Sequence, residues 1–323
     1  MTVLETLGWA NHFLREQWGE KGLFLPNDVP MLDVEILLSA AIGVPKSWLF
    51  THFSQELRPH EDEKFRALLK RRSCREPVAY LVREKEFFKR PFFVNPFVLI
   101  PRPDTEALAE EAIHLGKNID GETALMADIG TGSGALAITL ASETRLPVIA
   151  TDIDRRALVV AEKNARRHGV SDRIVFRQGD LFLPISHLLA AQRKRADQDS
   201  SLSFFLLCAN LPYLPTHVWE DAPADVRLFE PLCALTAGPD GLDAYWRLFK
   251  QLGSFRSLLP ETVFLLLEME TQQKEVAFQI LSRRFPLDIV QRHEELETKN
   301  SRLFVAEIQR TSQDVSPSPV QEI

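Results

Sequence analysis

Asp128-Ile129-Gly130-Thr131-Gly132-Ser133-Gly134 stands between an apolar run of strand length, Thr123–Asp128, and a segment of helical periodicity, Ala135–Ala141. Three glycines in five positions let the backbone turn tightly from strand to helix, and the free N–H groups at the helix start favour an anionic group, carboxylate or phosphate. The cluster is informative because glycine is scarce: the chain has only 14 in 323 residues, below the usual share of about 7%. Further strand-length runs follow at Pro147–Asp152, Arg173–Asp180, Ser203–Asn210 and Thr262–Glu268. The first of them are separated by helical segments, such as the one carrying Leu158, Ala161 and Ala165. This alternation predicts an α/β domain with a largely parallel sheet and right-handed crossovers, closed by Leu287–Val290 and Arg302–Ile308 as an antiparallel pair.

Asp152 lies 18 residues past Gly134, at the end of the next strand, where a carboxylate can accept hydrogen bonds from both hydroxyls of a ribose. The glycines run G-x-G-x-G rather than the G-x-G-x-x-G of dinucleotide enzymes, and no Gly-Lys-Ser/Thr follows to hold a triphosphate. S-adenosylmethionine, with a ribose and an amino-acid carboxylate, fits better. Asp180-Leu181, after the third strand, is placed to contact adenine.

Upstream, residues 2–73 read as helices. Leu4, Leu7, Phe13 and Leu14 form one stripe, Met31, Leu32, Val34, Ile36, Leu37 and Leu38 a second, and Phe65, Leu68 and Leu69 a third behind the acidic turn Glu61-Asp62-Glu63. From Pro77 to Pro103, aromatic and β-branched residues punctuated by prolines predict a hairpin and an extended linker, with a helix starting near Asp104 or Thr105. The expected division is a helical domain at 1–82, a hairpin and linker at 83–104, an α/β domain at 105–310 and a disordered tail at 311–323. Ala191–Ser201 reads as a polar insertion, mobile like the tail.

With 45% hydrophobic and 26% charged residues, the composition is that of an ordinary globular protein, and disordered, collagen-like and mucin-like classes are excluded. A net charge of −7 supplies no global basic field for a phosphate backbone. Cys74, Cys208 and Cys233 form no CxxC pair, so no metal is expected and a reducing cytoplasm is. Glu5 interrupts the N-terminal apolar stretch and no apolar run nears the roughly 20 residues of a membrane span, so neither export nor a membrane is expected.

The fourth strand delivers Asn210-Leu211-Pro212-Tyr213. An Asn side-chain oxygen and a neighbouring backbone carbonyl can each accept one N–H of a planar amide or amine, and Tyr offers a flat face for stacking. Such a nitrogen is a poor nucleophile, so orientation and electrostatics favour its attack on an in-line methyl donor, and no dedicated base is demanded.

Arg75-Glu76-Pro77-Val78-Ala79-Tyr80-Leu81, Glu86-Phe87-Phe88 through Val94-Asn95-Pro96, and Val98-Leu99-Ile100-Pro101-Arg102-Pro103-Asp104-Thr105-Glu106 resemble the PrmC/HemK family. The likeness continues through the glycine turn, Asp152, Gly179-Asp180, Asn210–Tyr213, Glu230-Pro231, Gly238–Leu242 and Leu267-Glu268. The resemblance implies a Rossmann-like class I methyltransferase domain, with a small N-terminal helical domain that docks the substrate. It also implies methylation of the glutamine amide in the Gly-Gly-Gln motif of peptide chain release factors. By this likeness, Asp128, Gly130, Thr131, Gly132, Ser133, Gly134, Asp152, Asp180, Leu181 and Asn210 contact S-adenosylmethionine. Arg102, Thr105 and Glu106 lie beside its methionine end. Asn210, Leu211, Pro212 and Tyr213 hold the glutamine, and the protein is expected to be a monomer that meets release factors transiently.

Three departures stand out. Leu211 replaces a proline usual in the family, but preceding Pro212 it is still biased towards the extended conformation. Val82-Arg83 stands where the family often has a glycine and Phe97 where another is usual, and Leu181 stands where an aromatic often faces adenine. Asn-Leu-Pro-Tyr also resembles ribosomal-RNA adenine dimethylases, which leaves an adenine-N6 methyltransferase on RNA or DNA, and a ribosomal-protein glutamine methyltransferase, as alternatives. The former needs a basic groove with aromatics, and the clusters Lys70-Arg71-Arg72 and Arg193-Lys194-Arg195 interleave none.

Overall fold

The structure, a computed structural model, describes residues 1–311 apart from 24, 26, 27, 118, 120–123, 196–201, 298 and 299. The chain divides into two units, one built from Met1–Ile100 and Thr216–Thr236, the other from Pro101–Pro215 and the chain from Ala237 onward. These boundaries differ from a division in sequence order. The hairpin goes with the helices, and the segment after the Asn-Leu-Pro-Tyr motif returns to them. Within this unit the Glu230 carboxylate accepts the Ile100 N–H at 3.1 Å and Asp225 lies 3.7 Å from the Arg75 guanidinium.

In the helical unit, Val3–Glu20 begins with a capping box between Thr2 and Glu5. Pro30–Ile42 starts on proline and stops at left-handed Gly43. Pro59–Ser73 carries Glu61 and Asp62 in its first turn and Lys70, Arg71 and Arg72 in its last, matching the helix dipole. The core joins Leu7, Leu14, Trp18, Leu37, Phe65 and Leu69, whereas Leu4 and Leu32, expected within the stripes, are exposed. The stripe of the first helix runs Val3, Leu7, Ala10, Leu14, Trp18 instead. Arg75 is fully buried, paired with Asp28 at 2.8 Å and stacked 4.5 Å over Trp18. Arg72 pairs with Asp33 and Arg71 with Glu76, so the basic cluster at 70–72 is largely neutralised within its own unit. The hairpin pairs β1 (Glu84–Phe87) with β2 (Arg90–Phe93) through Phe88-Lys89, both left-handed.

The second unit is the predicted α/β domain. Its strands are β3 (Ala124–Ile129), β4 (Val148–Asp152), β5 (Ile174–Gln178), β6 (Phe204–Ala209), β7 (Thr262–Glu268), β8 (Ile289–Arg292) and β9 (Leu303–Gln309). They form one sheet in the order β5-β4-β3-β6-β7-β9-β8, with β3 to β7 parallel and β9 antiparallel to both its neighbours. The expected closing pair is therefore present, and the end of β5 at the sheet edge turns polar and exposed. β3 is buried along its whole length, which suits a central parallel strand covered on both faces. The chain runs outward from β3 through β4 to β5, then returns to the other side of β3 as β6. That reversal opens a crevice at the carboxyl ends of β3 and β6.

Ala191–Arg195, read as the start of an insertion, closes the helix Leu183–Arg195. Residues 196–201 and the tail from 312 lie outside the described residues, as do the side chains of Arg193-Lys194-Arg195. No helix among the described residues is long and apolar enough to cross a membrane.

Candidate active site

The glycine turn sits at the carboxyl end of β3, tied to β4 by Gly130 N–H and Thr131 N–H, which both donate to the Thr151 carbonyl at 2.9 and 2.8 Å. Gly132 takes φ +53°, and a Cβ built there meets nothing within 4 Å. Its backbone thus faces open space at the start of the helix Ala135–Glu143, whose first N–H groups have no intrahelical partner. Gly134 meets the opposite demand, since a Cβ there would stand 3.0 Å from the Ala161 Cβ, and its bare Cα permits close helix packing. Ser133 is buried, and its carbonyl accepts from Asn164 Nδ2 at 2.8 Å.

Asp152, at the end of β4, accepts the Gly132 N–H at 2.9 Å on one oxygen and the Asp154 N–H at 2.9 Å on the other. Burial pushes its carboxyl above the usual value, opposed by those N–H groups. Asp128, expected among the ligand contacts, braces the turn from behind. It is 2% exposed, and its Oδ2 accepts Thr131 Oγ1 at 2.7 Å and the Ala137 N–H at 3.0 Å. Asp180 lies between Arg247, which pairs with one oxygen, and Gln251, whose Nε2 donates to the other at 2.9 Å. Leu181 is left-handed at φ +51° and buried, and its carbonyl accepts from Thr151 Oγ1 at 3.1 Å.

Burial pushes the Asp128 carboxyl up to about 6, against the hydrogen bonds from Thr131 and Ala137. The unfolded chain loses this proton near the ordinary value of about 4, so the stability contributed by the protonated group is fully present below that pH. It is lost as pH rises through the folded value of about 6. Asp128→Asn keeps an acceptor for both donors but cannot ionise. Denaturant titrations are expected to find its stability relative to the parent protein rising between about pH 4 and 7, by up to about 3 kcal/mol. A flat difference across that range contradicts the buried, proton-holding Asp128.

The second half of the site follows β6. The ladder sets Ala209 against Leu267, so Asn210 emerges beside Glu268 at the end of β7. Asn210 Nδ2 donates to Thr105 Oγ1 at 2.9 Å, and Thr105 Oγ1 donates to Glu268 Oε2 at 2.7 Å. Tyr213 O–H donates to the other oxygen, Oε1, at 3.0 Å. Burial pushes the Glu268 carboxyl up, countered by the Thr105 and Tyr213 donors, and burial with the nearby Glu268 charge pushes the Tyr213 phenol up. Leu211 turns its side chain into the core under the glycine turn: its Cδ2 lies 3.1 Å from the place of a Gly130 Cβ. Its backbone hydrogen-bonds to the Tyr245 hydroxyl, which donates to the Glu268 carbonyl. Pro212 is half-buried. The Tyr213 carbonyl accepts from Gln273 Nε2 at 2.9 Å, and the same nitrogen donates to the Asp240 carbonyl at 2.8 Å.

Thr105, expected beside a cofactor, links Asn210 to Glu268. Asp104 pairs with Arg302 at 2.8 Å, while Arg102 and Glu106 flank the helix start half-buried. Glu268, Tyr245, Gln273 and Arg302 were not among the residues singled out for the site. The signal for Glu268 was its position: a carboxylate ending a strand next to the one that ends in Asn210.

The PrmC N-terminal domain model matches residues 5–82, and a methyltransferase domain model matches residues 121–274. The release factor glutamine methyltransferase of Geobacter sulfurreducens is 36% identical over 245 residues, covering 76% of this chain and 76% of that protein. That of Moorella thermoacetica is 40% identical over 247 residues, covering 76% and 78%. That of Bacillus cereus is 30% identical over 288 residues, covering 88% and 92%, a span too long to omit the helical unit.

Proposed function

The chain belongs to the PrmC/HemK family of release factor glutamine methyltransferases, and on that premise we propose that it methylates the side-chain amide of the glutamine in a release factor's Gly-Gly-Gln motif. The observation that carries the site assignment is Asn210, whose amide N–H is spent on Thr105 and whose Oδ1 has no protein donor among the described residues.

The residues fit S-adenosylmethionine: an open backbone face at Gly132, just before the start of a helix, suits its carboxylate, and Asp152 suits its ribose. When bound, the cofactor supplies a sulfonium-activated methyl group. The protein's own part is orientation. Asn210 Oδ1 and the Leu211 carbonyl accept the two amide hydrogens, which aims the nitrogen lone pair and favours charge on it as it reacts. The Tyr213 ring, tethered through its hydroxyl, gives the amide a flat wall. The nitrogen sheds a proton as it becomes positive, so the chain needs no dedicated base. Release factors act in the cytoplasm, and the helical unit is the proposed docking part of a monomer.

Purified protein with S-adenosylmethionine carrying a labelled methyl group is expected to label a release factor containing Gly-Gly-Gln, and not one whose motif glutamine is alanine. Label on ribosomal RNA with none on the release factor overturns the proposal in favour of an adenine acceptor. The neutralised Arg71 and Arg72 speak against that alternative, because they leave little basic surface at that cluster.

A further inference from the structure

We infer that Thr105 and Glu268 form a positioning relay that locks the Asn210 amide in one orientation and the Tyr213 ring in one place, and thereby makes the pocket select an amide over a carboxylate. This rests on the glutamine reading above and assigns a role to two residues that act through Asn210 and Tyr213.

The direction of the relay follows from counting protons. The Glu268 carboxyl accepts on both oxygens, from Tyr213 on Oε1 at 3.0 Å and from Thr105 on Oε2 at 2.7 Å, so Thr105 spends its single hydroxyl proton there. Thr105 Oγ1 is then left with lone pairs alone towards Asn210. Only the NH2 end of the Asn210 amide can face it, at 2.9 Å, and the Oδ1 end is forced to the other side. A flipped Asn210 would set two oxygens against each other with no proton between them. The site is dry enough for this to matter, since Thr105 is 6% exposed and Glu268 2%.

The other carboxylate oxygen accepts Tyr213 O–H at 3.0 Å, so the same side chain fixes the stacking wall. Glu268 is itself held at the end of β7, where its backbone carbonyl accepts from the buried Tyr245 hydroxyl. With Oδ1 held outward, the pocket offers an acceptor. A glutamine amide answers it with N–H, whereas a glutamate carboxylate brings only oxygens and is rejected. Buried polar groups left unpaired give large discrimination.

The test compares the parent protein with Thr105→Val, Thr105→Ser and Glu268→Gln. It measures turnover, S-adenosylmethionine binding, melting, and calorimetric affinity for a release factor with Gly-Gly-Gln and for its Gln→Glu form. Thr105→Val and Glu268→Gln are expected to lower kcat on the order of tenfold, with cofactor affinity unchanged. Both are expected to narrow the preference for Gln over Glu by at least about fivefold, while Thr105→Ser keeps the parent's values. A folded Thr105→Val or Glu268→Gln that keeps the full preference and kcat overturns the relay and leaves the glutamine reading standing. A parent protein with no preference for Gln over Glu overturns the reading itself. One measurement needs no variant: the Asn210 side-chain amide proton bonded to Thr105 is expected to exchange slowly in the labelled parent protein, and free exchange overturns the relay.

Discussion

Asn210→Ala is expected to lower methyl transfer to a release factor by about 10²–10³-fold, the range found when one preorganised hydrogen-bonding group is removed from a charge-developing centre. Affinity for S-adenosylmethionine should change by less than about threefold, because the glycine turn and Asp152 stand independently of the Asn210 side chain. The loss is large for two reasons. The acceptor for one amide hydrogen disappears, and Thr105 loses the donor that closes its network. Asn210→Asp is expected to be no better, since it offers Thr105 no N–H and places a second carboxylate near buried Glu268. Single-turnover rates and equilibrium dialysis of the cofactor check both halves. An alanine variant that methylates at the parent rate removes Asn210 from the chemistry.

Much of the domain's order was legible because its signals are local. The strand runs, the glycine turn, Asp152 and the Asn-Leu-Pro-Tyr motif each lie within a few residues of the features that define them. Thr262–Glu268 is reproduced to the residue, and the other sheet strands shift by one or two at their ends. What escaped depends on pairs distant in sequence. Thr105 and Glu268 are 163 residues apart, and only the parallel register of β6 with β7 brings Glu268 beside Asn210. The attachment of Thr216–Thr236 to the helical unit depends likewise on Asp225 and Glu230 meeting Arg75 and Ile100. Leu4 was misplaced because its stripe can be drawn one turn position off, and only the packing partner chooses.

The glycine shortage also takes a physical form. Within Val82-Arg83, the pair expected to stand at a glycine position, Arg83 is left-handed at φ +60°, and Arg75, Phe88, Lys89 and Leu181 are left-handed too. Each of these five carries backbone strain of about 1–2 kcal/mol that glycine would avoid. Phe97 is different: it is not left-handed, and its N–H donates to Asn95 Oδ1 at 3.0 Å in an Asx turn. Substituting glycine there relieves nothing. The chain therefore accepts strain at several turns, and at Gly134, Gly238 and Gly241 it keeps glycine where a Cβ would collide with its neighbours.

Gly241→Ala tests that statement at its limit. Gly241 sits at φ +76°, and a Cβ there would lie 2.0 Å from the Tyr213 carbonyl oxygen, 2.8 Å from its carbon and 2.7 Å from Gln273 Nε2. Two of these atoms are backbone of the acceptor loop and cannot rotate aside, so the loop itself must move. Gln273 must also release its bonds to the Tyr213 and Asp240 carbonyls, which removes two part-buried hydrogen bonds. Gly22→Ala is the control: φ is +62°, but nothing lies within 4 Å of its Cβ, so it suffers conformational strain alone. Denaturant titrations are expected to give about 1–2 kcal/mol of destabilisation for Gly22→Ala and more than about 4 kcal/mol for Gly241→Ala. Folded Gly241→Ala should also transfer methyl groups poorly, because the displaced carbonyl carries Tyr213 away from Glu268. Equal costs for the two variants, with full activity in both, would mean that the Gly238–Leu242 loop does not support the acceptor pocket.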